Sequence, residues 1–109
     1  MQIIKKTDVI AHDGHGNSLV HEYYMKDKKI DLCVVNVNGR VPEKGQLVNF
    51  EYTCVCYVLD GKGSFCGQAI SKGDAFNILI GERYWFDGEF SMVMSGTPAF
   101  DPMQNKIVE

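Results

Sequence analysis

The sequence is poor in the features that would commit it to a membrane, a nucleic acid or a disulfide framework. No apolar stretch approaches the ~20 residues that span a bilayer. The opening residues Met1-Gln2-Ile3-Ile4-Lys5-Lys6 lack the long apolar core of a secretory signal, so a cytoplasmic location with no membrane partner is expected. Positive charge is scarce: 11 Lys and Arg stand against 14 Asp and Glu, for a net charge of −3. The longest basic runs are the pairs Lys5-Lys6 and Lys28-Lys29, too short to track a phosphate backbone, which argues against a nucleic-acid partner. No two of the cysteines Cys33, Cys54, Cys56 and Cys66 stand in C-x-x-C spacing, so the zinc-ribbon and thioredoxin patterns are absent. In a reducing compartment the thiols are expected to act as small buried hydrophobes. Cys54 and Cys56 share one face of a strand, but ligands from one strand cannot close a tetrahedral metal site. No segment joins a helical apolar period to caps at both ends. Repeats, low-complexity tracts and linkers are also missing, so the 109 residues are read as one domain, able to bury a core without staples.

What the sequence does contain is a succession of short apolar runs rich in β-branched and aromatic residues, punctuated by turn formers. Residues 3–5 are expected to form an edge strand or an arm, and residues 6–16 a loop. In that loop His12-Asp13-Gly14-His15-Gly16-Asn17 is dense in turn formers. His12 and His15 have H-x-x-H spacing, which suits a metal only on a helix face or a fixed turn; they are read as solvated loop histidines. Strands are expected over residues 19–25, 30–37, 47–50 and 53–59, the second apolar on both faces. A glycine corner at Asp60-Gly61-Lys62-Gly63 is followed by a hairpin over 64–70. A turn follows at Ser71-Lys72-Gly73-Asp74, where Asp74 should accept backbone N–H groups. Apolar residues 75–80, the trio Tyr84-Trp85-Phe86 and a strand over 90–94 come next. A proline-punctuated exit leads to a tail, residues 103–109, expected to fray or to pack on a neighbour.

The segments Tyr57-Val58-Leu59-Asp60-Gly61-Lys62-Gly63 and Ser71-Lys72-Gly73-Asp74, with Gly81, Tyr84 and Gly88 after them, resemble the centre of a cupin. That family carries two motifs, G-x5-H-x-H-x3-4-E-x6-G and G-x5-P-x-G-x2-H-x3-N. Gly73 and Gly81 match the glycines of the second motif, while Leu79, Tyr84 and Gly88 stand where it has proline, histidine and asparagine. Gly61 matches the closing glycine of the first motif. Cys54 then stands at the glutamate, and Leu47 with Asn49 (or Val48 with Phe50) at the two histidines. The resemblance covers about residues 30–102. It implies an all-β fold, a cupin-like jelly-roll β-barrel formed by residues 1–109. The turn glycines are kept and every usual metal ligand is replaced, so no metal site of the usual kind and no cofactor are expected.

The resemblance also implies a pocket. If Cys54 and Tyr84 hold the family's inward positions, strand alternation adds Cys56 and Phe86, with Asn49 as a polar neighbour. A lumen lined by Asn49, Cys54, Cys56, Tyr84 and Phe86 suits a small organic ligand with one or two hydrogen-bonding groups, unless the chain's own side chains fill it. The expected function is small-molecule binding or sensing. The alternative is an enzyme, either with a metal site rebuilt from Cys54, Tyr84, His21 and Glu51 or with metal-free acid/base catalysis through Tyr84. A homodimer is expected, because small barrels have edge strands to hide and residues 1–4 are apolar enough to add to a partner's sheet.

Overall fold

The computed structural model describes all 109 residues. Ten strands carry the chain: β1 (Ile10–Asp13), β2 (Ser18–Tyr23), β3 (Leu32–Asn38), β4 (Gln46–Asn49), β5 (Thr53–Phe65), β6 (Gln68–Ser71), β7 (Ala75–Ile78), β8 (Arg83–Tyr84), β9 (Phe86–Thr97) and β10 (Asn105–Val108). The only helical pieces are single 3-10 turns at Lys6–Asp8 and Pro102–Gln104. No helix is long and apolar enough to cross a membrane. The all-β fold expected from the strand rhythm is the one observed.

All pairings are antiparallel. A seven-stranded sheet runs β1-β2-β3-β9-β5-β6, with β7 also paired to β5, and a three-stranded sheet runs β10-β4-β8. The hydrogen bonding does not close into a continuous cylinder; an isolated Val41–Phe86 bridge links the segment before β4 to β9. The inner faces enclose a core of 14 residues. Alternation decides who enters it. Along β5, Cys54, Cys56 and Val58 are 2% exposed or less, whereas Val55 and Tyr57 between them are 61% and 50% exposed. Along β3, Cys33, Val35 and Val37 point inward, while Asn36 and Asn38 are exposed. On the outer face Leu32 and Val34 are only half-buried, so the two-sided burial expected for residues 30–37 is partial.

Three other expectations change. Asp60-Gly61-Lys62-Gly63 is not a corner. The register of β5 against β9 shifts between Val58 and Asp60, and pairing then runs on to Phe65 opposite Phe86. Gly61 absorbs the bulge at φ +83°, where a Cβ would also press on the Glu89 carbonyl, so glycine bends the strand without releasing it. The chain reverses at Cys66-Gly67, both at positive φ, as a two-residue hairpin loop requires. The segment read as a loop over 6–16 contains β1, which pairs with β2 through His12 opposite Val20 and Asp13 opposite Leu19, while residues 3–5 form no strand. The tail is β10, in register with β4 from Asn105 opposite Asn49 to Val108 opposite Gln46. Its outward Lys106 and Ile107 hid a strand that neither frays nor waits for a neighbour. The turn at residues 71–74 forms as expected: the Asp74 N–H donates to the Ser71 carbonyl, and the Asp74 carboxylate accepts from the Ser71 N–H at 2.8 Å.

Candidate functional site: a cavity between the sheets

Between the sheets lies a cavity of about 370 Å³. Its walls are apolar: Val35 from β3, Leu47 from β4, Phe86 and Met92 from β9, and Val20 from β2. Phe86 is 3% exposed and packs edge-on against Tyr84 with ring centroids 5.6 Å apart. Trp85 is absent from the lining and lies under the Arg40 guanidinium at 5.9 Å, as alternation requires for the residue between two inward ones.

The inner end of the cavity is polar and ordered. Tyr84 comes from the short β8, held opposite Leu47 of β4. Its hydroxyl oxygen accepts from Asn105 Nδ2 at 3.1 Å and from Asn49 Nδ2 at 3.4 Å. Asn49 Oδ1 in turn accepts from Asn105 Nδ2 at 2.8 Å and Gln104 Nε2 at 3.0 Å. Every partner of the Tyr84 oxygen is a donor, so its own proton is left to the cavity. Burial pushes the phenol above its ordinary range, with the Asn105 amide acting in the opposite sense; it stays protonated at neutral pH and is available to donate.

A second polar cluster fixes the wall beside it. The buried Asp31 carboxylate accepts from the Tyr52 hydroxyl at 2.7 and 2.9 Å, the Gly96 N–H at 2.7 Å and the Phe100 N–H at 3.1 Å. Burial, reinforced by the bond to Asp31, keeps the Tyr52 phenol protonated. Glycine is required at position 96 because a Cβ there would overlap the Tyr52 ring. Tyr52 and Phe100, which pack edge-on with centroids 5.1 Å apart, both line the cavity.

The neck is built differently. Val20 and Glu22 of β2 face inward while His21 between them faces out, its Nε2 3.1 Å from Asn36 Nδ2. His12 Nε2 of β1 lies 3.9 Å from Glu22 Oε1. Burial and then the charge of Asp31 raise the Glu22 carboxyl above its ordinary range, against the opposing effect of His12. Beyond the neck opens a vestibule of about 660 Å³, which shares His12, Glu22, Phe100 and Pro102 with the cavity.

No family model and no curated protein matches the sequence. Solved structures match the fold closely. The Streptomyces nucleoside dehydratase Pac13 superposes with a TM-score of 0.85 over all of this chain and 92% of its own, at 18% identity. An RmlC-like cupin from Shewanella frigidimarina superposes with a TM-score of 0.74 over 94% of this chain and 96% of its own, at 13% identity. The fold is a cupin fold. Ectoine synthase from P. lautus shares it too, with a TM-score of 0.74 at 12% identity over all of this chain and 91% of its own.

Against that cupin fold the metal positions can be tested by their chemistry. Leu47 offers no donor, and the oxygen of Asn49 is occupied by two amides. In the alternative register Val48 is a buried hydrocarbon and Phe50 an exposed one. Cys54 is buried beside Cys56, whose thiol is raised far above its ordinary range by its hydrogen bond with Cys54 and by burial. A thiol must ionise to bind a metal. Nowhere do three His, Cys, Asp or Glu side chains converge as a metal would need. His21 points outward and Glu51 is exposed, so neither joins Cys54 and Tyr84 in a rebuilt site. The residues do not fit the cupin metal.

Of the residues expected in the pocket, Tyr84 and Phe86 line the cavity. Asn49 lies behind Tyr84 and orients it, while Cys54 and Cys56 are packed in the core away from the lining, where Cys33 appears instead. Asp31 and Tyr52 of the second cluster were not foreseen, and neither were four others: His12, Glu22, Gln104 and Asn105. The alternation of Val20 and Glu22 around His21 was the available signal for Glu22. The other three sit in stretches whose strands were hidden by turn-forming or tail-like composition. His12 is a strand residue at the neck, not a loop one, and His15 lines the same opening.

Proposed function

We propose that the chain is a small-molecule-binding cupin whose ligand presents a carbonyl or similar acceptor to the Tyr84 hydroxyl. The observation that carries this reading is the Tyr84 oxygen held by two amide donors, which leaves the phenol proton as the polar handle of an otherwise apolar cavity. Its volume of about 370 Å³ falls in the ~300–1,000 Å³ range of small-molecule sites. Acid/base catalysis on that ligand is a second reading, favoured by the carboxyl and imidazole 3.9 Å apart at the neck. The nucleoside dehydratase of the same fold supports a cyclic carbonyl compound as the first probe. Forms of Pac13 in which a histidine or a tyrosine is replaced were solved with uridine.

Thermal-shift measurement on a panel of carbonyl-bearing ring compounds, beginning with uridine and uracil, tests the proposal, since a ligand of the folded state raises the melting temperature. At least one compound should stabilise the wild type. Tyr84→Phe should then weaken its binding roughly five- to hundredfold, because a hydrogen bond from a buried donor is worth about 1–3 kcal/mol. Equal shifts in both proteins, or no shift from any compound, would count against it.

A further inference from the structure

Of the two carboxyls that line the cavity, Asp13 is exposed at the opening and Glu22 is half-buried, and Glu22 accepts no hydrogen bond from the protein. Its side chain is 14% exposed, and its nearest charged group, His12, lies beyond hydrogen-bond reach at 3.9 Å. Asp31, by contrast, is consumed by three donors, the Tyr52 hydroxyl and the Gly96 and Phe100 N–H groups. Glu22 also borders both the inner cavity and the vestibule, so a ligand whose inner end reaches Tyr84 passes it. The carboxyl is not sealed from solvent, and with no donor from the protein its oxygens are free to accept one from a ligand at the neck. We propose that Glu22 and His12 form a hydroxyl-reading pair at the neck, and that the ligand is a compact ring compound with a carbonyl at its inner end and a hydroxyl or vicinal diol at its outer end.

Hydroxyls fit this pair better than a cation does. A hydroxyl both donates and accepts, and a carboxyl beside an imidazole offers both complements. A cationic ligand would be attracted by Glu22 but would meet Lys28 in the vestibule and His12 in its protonated form. The groups around Glu22 are His12 on β1, Asp31 ahead of β3, and Cys33, its partner in register on β3. The thiol is raised by burial, and by Glu22 itself, so it stays neutral. The shift in Glu22 is upward, so the carboxylate acceptor is lost at a higher pH than for an ordinary carboxyl.

This pair rests on the reading of the cavity given above, and the experiment separates the two. Uridine and its dideoxy analogue, which keeps the base and lacks both ribose hydroxyls at those positions, are titrated calorimetrically into the wild type, Glu22→Gln and Tyr84→Phe. The wild type should prefer uridine roughly ten- to hundredfold, the worth of a hydrogen bond to a charged group. Glu22→Gln, whose amide oxygen still accepts but carries no charge, should cut that preference severalfold while leaving the analogue's affinity unchanged; Tyr84→Phe should weaken both probes alike. A second readout needs only the wild type: its preference should shrink as pH falls from neutrality through the raised folded-state value of the carboxyl, where the carboxylate takes up a proton. A preference undiminished in Glu22→Gln, equal wild-type affinity for the two probes, or binding of neither overturns the hydroxyl-reading pair. If Tyr84→Phe still weakens both probes in the first two cases, the carbonyl site stands without it.

Discussion

At the inner end of the cavity, Asn49, Gln104, Asn105 and Tyr84 hold one another, and Asp31 gathers Tyr52 with two backbone N–H groups. At the neck, Glu22 and His12 face each other across 3.9 Å with the carboxyl otherwise unbonded. The first region follows the rule that a buried polar group is satisfied from within the protein, and it positions side chains. In the second region the carboxyl reaches the opening of the cavity, so its bonding is left to solvent or to a ligand. The comparison implies opposite responses to substitution. Removing a polar group should be expensive at the inner end and close to free, or even stabilising, at the neck.

Asp31→Ala should give the largest effect. It strands the Tyr52 hydroxyl and the Gly96 and Phe100 N–H groups, all three of which bond to the carboxylate. Each unpaired buried donor costs about 1–3 kcal/mol, so a loss of about 3–5 kcal/mol is expected, allowing for relaxation and water entry. In a chain of this size that lowers Tm by more than about 10 °C. Denaturant titration measures it directly. A loss under about 1 kcal/mol would mean that the cluster is not what holds the wall.

The amide network comes next. Asn105→Ala removes a donor from both Asn49 and Tyr84 and should cost about 1–3 kcal/mol. Tyr84→Phe, measured without ligand, leaves the buried Asn49 Nδ2 without its acceptor and should also cost about 1–3 kcal/mol. The double variant separates orientation from packing. If Asn105 acts partly by holding the Tyr84 hydroxyl, the two losses should be non-additive by about 0.5 kcal/mol or more. Strict additivity would uncouple the network from the phenol.

The same contrast explains what the residues disclosed before the fold was known. Strands with strict alternation, such as Thr53 to Val58, and turns with unambiguous chemistry, such as Ser71 to Asp74, were legible because local rules decide them. So was the inward direction of Tyr84 and Phe86 on either side of Trp85. β1 was hidden because His12 and Asp13 run into Gly14, and pairing with β2, a tertiary effect, overrides that turn bias. β10 was hidden because its partner β4 lies more than fifty residues earlier in the chain, and nothing local announces the pairing. The neck was lost with β1. Glu22 is an ordinary carboxylate in an aromatic strand until β1 places His12 beside it.

Glu22→Gln should produce the smallest change in stability, and its sign is the informative part. The folded-state carboxyl is raised above its ordinary range by burial first, then by Asp31. A raised acid binds its proton more tightly in the folded than in the unfolded chain, so its contribution favours the fold in acid. That contribution is lost as pH climbs from the ordinary carboxyl range through the raised folded value. Glutamine does not titrate, so the variant and the wild type should melt together in acid, with the variant gaining as pH rises toward neutrality. The gain should stay under about 1 kcal/mol, because the carboxyl opens onto the solvent-filled vestibule and its charge is partly screened. Thermal melts of both proteins across this range provide the measurement. A variant that is less stable than the wild type near neutrality would show that Glu22 is held by His12 as a structural ion pair, and the two ends of the cavity would then obey the same rule.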